Sequence, residues 1–185
     1  VQAQLLEPDP QHLLQRGRAV ALAPGGLVAD HDAECPGFLV AAEHQGAVAD
    51  VSPVDINRIV SSVCELRETE LQALNIKLVR LLTPATLRTM ADALQIEQVF
   101  TNVFMNAIQA LSGWDGNRVL EITTRQDGAA IRISIADNGP GIPANVLGRV
   151  FDPFFSTKGP DKGTGLGLSI CYSIMEEHRG KIWVE

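Results

Sequence analysis

Gln98, Asn102 and Asn106 recur every fourth residue within Asp92–Leu111, a stretch whose only charged side chains are Asp92 and Glu97. On a helix, that spacing lines three carboxamides along one stripe. Asn is a poor helix former because its amide competes for backbone hydrogen bonds. Two of them in a nearly uncharged helix therefore need a reason. A polar seam satisfied by neighbouring backbone is one. A hard-cation site is the other: carboxamide oxygens are hard ligands, and Mg²⁺ takes few protein ligands, completing its shell with water and substrate phosphates.

A second cluster is "DNGPGIP", 137–143, directly after "AAIRISIA". Ile131, Ile133, Ile135 and Asp137 share one strand face by the period of two, so a carboxylate stands at the margin of an apolar layer. Ionised, it only accepts hydrogen bonds, and a buried charge without a partner is costly. A ligand that offers an N–H would satisfy it, and the exocyclic amine of adenine is such a ligand. Gly139 and Gly141 would let the backbone approach a flat ring. An ordinary "DNG" turn is the competing explanation.

A third cluster is "KGTGLGLSI", 162–170. Gly163, Gly165 and Gly167 alternate just before a helix whose first turn offers free N–H groups, an arrangement that binds phosphate through amides and dipole. Lys158 and Lys162 can add positive charge. The spacing is that of neither the P-loop nor the dinucleotide fingerprint, and a flexible glycine loop ending at a cap would read the same. Between the second and third clusters, "FDPFF" sets Phe151, Phe154 and Phe155 at a loop root, as a lid hinge or as core anchors.

The elements that must hold these residues follow from periodicity. Asp55 caps a helix after the turn-favouring "SP", with Ile56, Ile59, Val60, Val63, Leu66 and Leu71 at nearly helical spacing. "IKLVRLL" reads as a strand. Asp92 caps the long carboxamide helix, which Gly113 and Gly116 end. "NRVLEITTRQDGAAIRISIAD" is a strand, a "QDG" turn and a second strand, a β-hairpin. "PANVLGRVF" is a short helix or turn, "LGLSICYSIMEEH" a helix ended by "RG", and "KIWVE" a strand. Residues 1–50 are broken by "EPDP", "APGG" and "CPG", with short helices expected at His12–Ala21 and Phe38–His44.

The chain has 185 residues, 45% of them hydrophobic, and a net charge of −7. The acidic balance argues against a nucleic-acid partner gripped through its phosphates. Cys35, Cys64 and Cys171 are far apart and odd in number, which suggests neither a disulfide framework nor a zinc site and fits a reducing, cytoplasmic setting. No apolar run approaches the ~20 residues that span a bilayer, so no membrane contact is expected of this segment.

In order and spacing, "EQVFTNVFMNAIQAL", "DNGPGIP", "VFDPFFSTK" and "GTGLGLSI" form a signature that resembles the ATP-binding catalytic domain of bacterial sensor histidine kinases, of the nitrogen-regulatory type. That family belongs to the GHKL superfamily, with the gyrase, chaperone and mismatch-repair ATPases. The resemblance covers residues 52–185. It implies an α+β fold: a two-layer sandwich, a mixed and mostly antiparallel sheet with helices packed on one face. It implies ATP and Mg²⁺ as ligands. Asn106 and Asn102 would serve the metal, with Gln98 where relatives often carry Glu or Gln. Asp137, Gly139, Gly141 and Ile142 would hold adenine. Lys158, Lys162, Gly163, Thr164, Gly165, Leu166, Gly167 and Leu168 would surround the phosphates. The implied chemistry is γ-phosphoryl transfer to a histidine. The implied partners are a dimerisation and phosphoacceptor hairpin and a response regulator, with a homodimer in the full-length protein and the segment on the cytoplasmic side, whether or not the sensor is membrane-anchored.

Three departures stand out. Gln109 occupies a position where many relatives carry a phosphate-reaching Lys, a charge Lys158 would have to supply. His31, Asp32 and Pro36 echo the family's acceptor pattern, but Pro36, Gly37 and Gly46 interrupt the stretch to Val54, too short for a helical hairpin. Residues 1–51 are thus expected to be an irregular linker or the remnant of such a hairpin, and this chain alone is not expected to phosphorylate itself. Finally, "GKIWVE" should lead into another strand, so the sheet is expected to lack its last strand. Two alternatives remain open on sequence alone: a serine kinase of the anti-sigma type, and a nucleotide-binding module without transfer activity.

Overall fold

The computed structural model describes residues 17–22, as backbone, together with 50–157 and 164–184. The chain forms strands β1 (Gly17–Leu22), β2 (Val51–Asp55), β3 (Ile76–Leu82), β4 (Arg88–Asp92), β5 (Arg118–Asp127), β6 (Ala130–Asp137) and β7 (Lys181–Val184). Its helices are α1 (Ile56–Leu66), α2 (Glu68–Ala73), α3 (Ala93–Ser112) and α4 (Gly167–Glu177), with a 3₁₀ turn at Ala144–Arg149.

The main sheet runs β3-β5-β6-β1-β7. Only β3 and β5 are parallel; the other pairs are antiparallel. β5 and β6 form the expected hairpin, with Asp127 opposite Ala130 and Gly128 at φ +61° in the turn. Alternation then separates the two faces. Leu120, Ile122, Ile131, Ile133 and Ile135 are buried and join one apolar core with Val60, Val63, Phe100, Phe104 and Ile108 of the helices. Glu121, Thr123, Arg132 and Ser134 lie on the other face and are half-buried. The result is the expected α+β two-layer sandwich.

From the sequence, this sheet is expected to lack its last strand. In the structure β1 supplies a strand between β6 and β7, pairing Ala19 with both Ser134 and Trp183. It comes from the region read as linker or hairpin remnant. Of the helix expected at His12–Ala21, the described part is therefore corrected to a strand, Gly17–Leu22, and residues 12–16 lie outside the described residues. Pairing along two neighbours outweighs a weak local helical tendency. The helix expected at Phe38–His44, and Cys35 and His31, lie outside the described residues.

The turn expected at "SP" before Asp55 is also corrected. Ser52 and Pro53 lie within β2, which among the described residues pairs only with β4, Pro53 opposite Met90. Proline is tolerated there because a two-stranded ribbon leaves one side of each strand without a ladder. The ribbon has a positional role, since each of its strands ends in a helix cap. Asp55 Oδ1 accepts from Asn57 N–H at 3.0 Å, and Asp92 Oδ1 accepts from Leu94 and Gln95 N–H at 2.9 and 3.2 Å. These bonds satisfy otherwise orphaned first-turn donors and fix where α1 and α3 begin.

Thr124 is the single polar residue among the buried positions described. Its hydroxyl donates to Asn57 Oδ1 at 2.8 Å and accepts from Thr83 N–H at 3.2 Å, while Asn57 Nδ2 donates to Thr83 O at 2.9 Å. That network ties the start of α1 to β5 and to the end of β3. Among the described residues, no helix is long and apolar enough to cross a membrane.

Candidate functional site

α3 buries Ile96, Val99, Phe100, Val103, Phe104, Ala107, Ile108 and Leu111. That fixes its rotation and leaves Asn102 and Asn106 half-buried on a different stripe. Both line a cavity of about 460 Å³. Gln98, one turn earlier, is exposed and does not reach the cavity wall. Gly141, Ile142, Thr164, Gly165, Gly167 and Leu168 line the same cavity. Residues far apart in sequence, singled out by type and spacing, are thus brought to one space.

Asp137, Gly139 and Leu166 are not on the lining. Asp137 is half-buried at the end of β6, opposite Leu120. Its Oδ1 accepts from Gly139 N–H at 3.1 Å, an Asx turn, and Oδ2 takes no hydrogen bond among the described residues. A Cβ on Gly139 would lie 2.9 Å from Asp137 Oδ1 and 3.6 Å from the Ala110 backbone. Gly139 therefore lets the chain pass close to α3 and the Asp137 carboxylate. Lys158, Lys162 and Gly163 lie outside the described residues.

Sequence reasoning missed Asn138. Its Oδ1 accepts from Val119 N–H at 2.8 Å and its Nδ2 donates to Asn117 O at 2.7 Å. It continues the β5–β6 pairing one residue past the strand and so holds Asp137 in place. The signal was present in "DNG", where Asn favours local side-chain-to-backbone bonds. Met105, Pro140, Ser156 and Thr157 also line the cavity without having been singled out; their types carry no distinctive signal in the sequence.

The three phenylalanines of "FDPFF" behave differently. Phe151 packs against the core and the Tyr172 ring, centroids 5.8 Å apart. Phe155 faces the cavity, with the Arg149 guanidinium 4.7 Å from its ring centroid. Phe154 is 76% exposed and has φ +64°, a left-handed conformation unusual for a bulky residue.

The start of α4 has no side-chain cap, so its first-turn N–H groups are left for other acceptors. Asn102 Nδ2 donates to Gly167 O at 3.4 Å, and the Cys171 thiol donates to Val99 O at 3.7 Å. Burial pushes that thiol up to about 11, with the neighbouring Asn102 side chain acting in the opposite direction. Cys171 is therefore protonated at neutral pH and inert as a nucleophile. Cys64 is likewise raised by burial to about 11. No ionised side chain lines the cavity among the described residues, and no cluster of three or more His, Cys, Asp or Glu occurs there. The chemistry on offer is carboxamide oxygens, hydroxyls and backbone N–H groups.

The family described as "Histidine kinase-, DNA gyrase B-, and HSP90-like ATPase" matches residues 91–185. Sensor histidine kinase ZraS of Escherichia coli is 36% identical over 131 residues, covering 71% of this chain and 27% of ZraS. Sensory histidine kinase/phosphatase NtrB of Klebsiella oxytoca is 38% identical over 156 residues, covering 78% of this chain and 42% of NtrB. Sensor histidine kinase TmoS of Ectopseudomonas mendocina is 34% identical, and this chain spans only 15% of its length. Among solved structures, the catalytic domain of histidine kinase ThkA superposes with a TM-score of 0.65 at 36% identity, over 72% of this chain and 86% of that domain. With the same fold, the same ordered motifs and a family match over half its length, the chain belongs to the histidine kinase-, DNA gyrase B- and HSP90-like ATPase family, as a catalytic domain of the sensor histidine kinase type.

Proposed function

We propose that this chain binds Mg-ATP in the 460 Å³ cavity and, as part of a longer sensor protein, passes the γ-phosphoryl group to a histidine. The observation that carries the reading is the convergence on one cavity of Asn102 and Asn106, the segment that follows Asp137, and the uncapped start of α4. Asp137 Oδ2 has an open acceptor site for the exocyclic amine of adenine. The first-turn amides of α4 meet phosphate oxygens, favoured by the helix dipole. With no charged side chain on the described lining, the remaining phosphate charge falls to Lys158, Lys162 and a metal.

Mg²⁺ fits this donor set. A hard cation that keeps several waters needs only one or two protein oxygens beside those of the phosphates, and the Asn102 and Asn106 carboxamides provide them. Bound, the metal would neutralise charge on the β- and γ-phosphates. The domain itself orients the nucleotide and shields it from water; little covalent work is asked of it. In the transfer, an imidazole nitrogen of the acceptor histidine forms a bond to γ-phosphorus. The bond to the β,γ-bridging oxygen breaks, and ADP leaves with that electron pair.

The acceptor would be presented by a dimerisation hairpin, and the phosphohistidine would be drained by a response regulator. Histidine kinase ThkA has been solved in complex with a response regulator protein, TrrA. The test titrates the chain with ATP, with and without Mg²⁺, beside an Asn106→Ala variant. It then supplies γ-labelled ATP and a separate hairpin carrying the acceptor. Metal-dependent binding lost in the variant, and acid-labile label on the hairpin, are expected. Metal-independent binding would overturn the ligand roles. Acid-stable label would point to a hydroxyl acceptor instead.

A further inference from the structure

α3 and α4 run antiparallel, and three side-chain bonds cross between them in step. Asn102 Nδ2 donates to Gly167 O at 3.4 Å, the Cys171 thiol to Val99 O at 3.7 Å, and Asp92 N–H to His178 Nε2 at 3.0 Å. Each step down α3, from Asn102 through Val99 to Asp92, is matched by a comparable step up α4, from Gly167 through Cys171 to His178. Only the first of these bonds touches the cavity. The last lies ten residues further along α3, about 15 Å at the helical rise.

That distant bond has the best geometry of the three. The Asn102 bond is long and the thiol is a weak donor. His178 is held on both ring nitrogens. Because Nε2 accepts from Asp92, the ring proton sits on Nδ1, which donates to Ile174 O at 2.8 Å. His178 is also the C-cap of α4, its backbone N–H bonded to the same carbonyl at 3.1 Å. Asp92 in turn is the N-cap of α3. One bond thus joins the residue that starts α3 to the residue that ends α4. Apolar packing between the helices is non-directional and leaves small slides and rotations open; a directional bond between the two caps does not.

We propose that His178 is a positioning residue: it sets the axial register of α4 on α3 and thereby places the α4 amides opposite Asn102 and Asn106. This inference rests on the reading of the α4 start as the phosphate end of an ATP site. The adenine end, at Asp137, belongs to β6 and is independent of the register. A register pin and a mere stabilising contact therefore differ in which half of the ligand feels its loss.

The test compares ATP by calorimetry and adenosine by NMR titration, on the full chain and on His178→Ala and His178→Gln, each corrected for the folded fraction by urea unfolding. His178→Ala is expected to weaken ATP about tenfold or more while adenosine changes less than about twofold. His178→Gln, whose Oε1 can still accept from Asp92 N–H, is expected to recover most of the loss. Parallel losses of both ligands, no loss of ATP, or a Gln variant no better than Ala would each overturn the inference while leaving the nucleotide reading intact. A parent chain that binds neither ligand would overturn both. Should His178→Ala fail to fold, the parent decides: its imidazole ¹⁵N spectrum is expected to show His178 protonated on Nδ1 and bare on Nε2. The opposite tautomer would remove the bond on which the register depends.

Discussion

The backbone of Phe154 runs directly against Gly165: a Cβ on Gly165 would lie 2.4 Å from the Phe154 carbonyl carbon. Both residues are left-handed, at φ +64° and +68°. The glycine next to the cavity thus makes room for the loop that closes over the start of α4. Gly165→Ala must displace that loop as well as strain its own backbone. ATP affinity is expected to fall about tenfold or more, with faster hydrogen exchange over Phe151–Thr157. Gly128→Ala is the control. Its φ is +61° but nothing lies within 4 Å, so it should cost about 1 kcal/mol of stability and leave ATP binding alone. Equal behaviour of the two variants would show that the Phe154 contact is dispensable.

Asp137→Asn keeps an oxygen for Gly139 N–H and changes the other carboxylate oxygen into a donor. The fold should persist. A charge-assisted bond worth about 1.5–3 kcal/mol would be lost, so ATP should weaken about ten- to a hundredfold. GTP, which presents an acceptor where adenine presents its amine, should bind the parent poorly. Comparable ATP and GTP affinities in the parent would refute adenine recognition by Asp137.

Thr124→Val is nearly isosteric but strands Asn57 Oδ1 at a buried site and leaves Thr83 N–H only its longer bond to Thr124 O at 3.3 Å. Destabilisation of about 1–3 kcal/mol is expected, read as a lower urea midpoint at unchanged slope. The network lies at the start of α1, away from the cavity, so ATP affinity of the folded protein should not change. A Thr124→Ser variant, which restores the hydroxyl, should recover part of the loss.

The buried thiols give stability a dependence on alkaline pH. The Cys171 thiol is raised by burial from 9.0 to about 11, so the unfolded chain releases this proton first. Its contribution is complete below pH 9, is lost as pH rises towards 11, and has no counterpart on the acid side. Cys64 acts in the same direction. Urea unfolding at a series of pH values should show stability declining across this window, less steeply in Cys171→Ala. Superimposable slopes for parent and variant would remove Cys171 from the account.

Local order was written in the sequence wherever one side chain signals one local event. Asp55 and Asp92 announce helix starts because a carboxylate can reach first-turn amides. "QDG" announces the β5–β6 turn because Gly128 tolerates positive φ. The period of two in Ile131–Asp137 and the apolar spacing along α3 set which faces are buried, and hence that Asn102 and Asn106 lie off the core. Their types and order carry the resemblance to the family. What the tertiary structure decided was every pairing between distant segments. β1 enters between β6 and β7, and β2 pairs with β4 despite Pro53, because ladder partners are chosen by whole-sheet geometry and not by local propensity. Gly139 was read as letting the backbone approach a flat ring and Gly165 as contacting phosphate; their Cβ directions point at Asp137 and at the Phe154 backbone. The bond from Asp92 to His178 spans 86 positions. No local pattern encodes it, since it exists only once α3 and α4 have packed in one register.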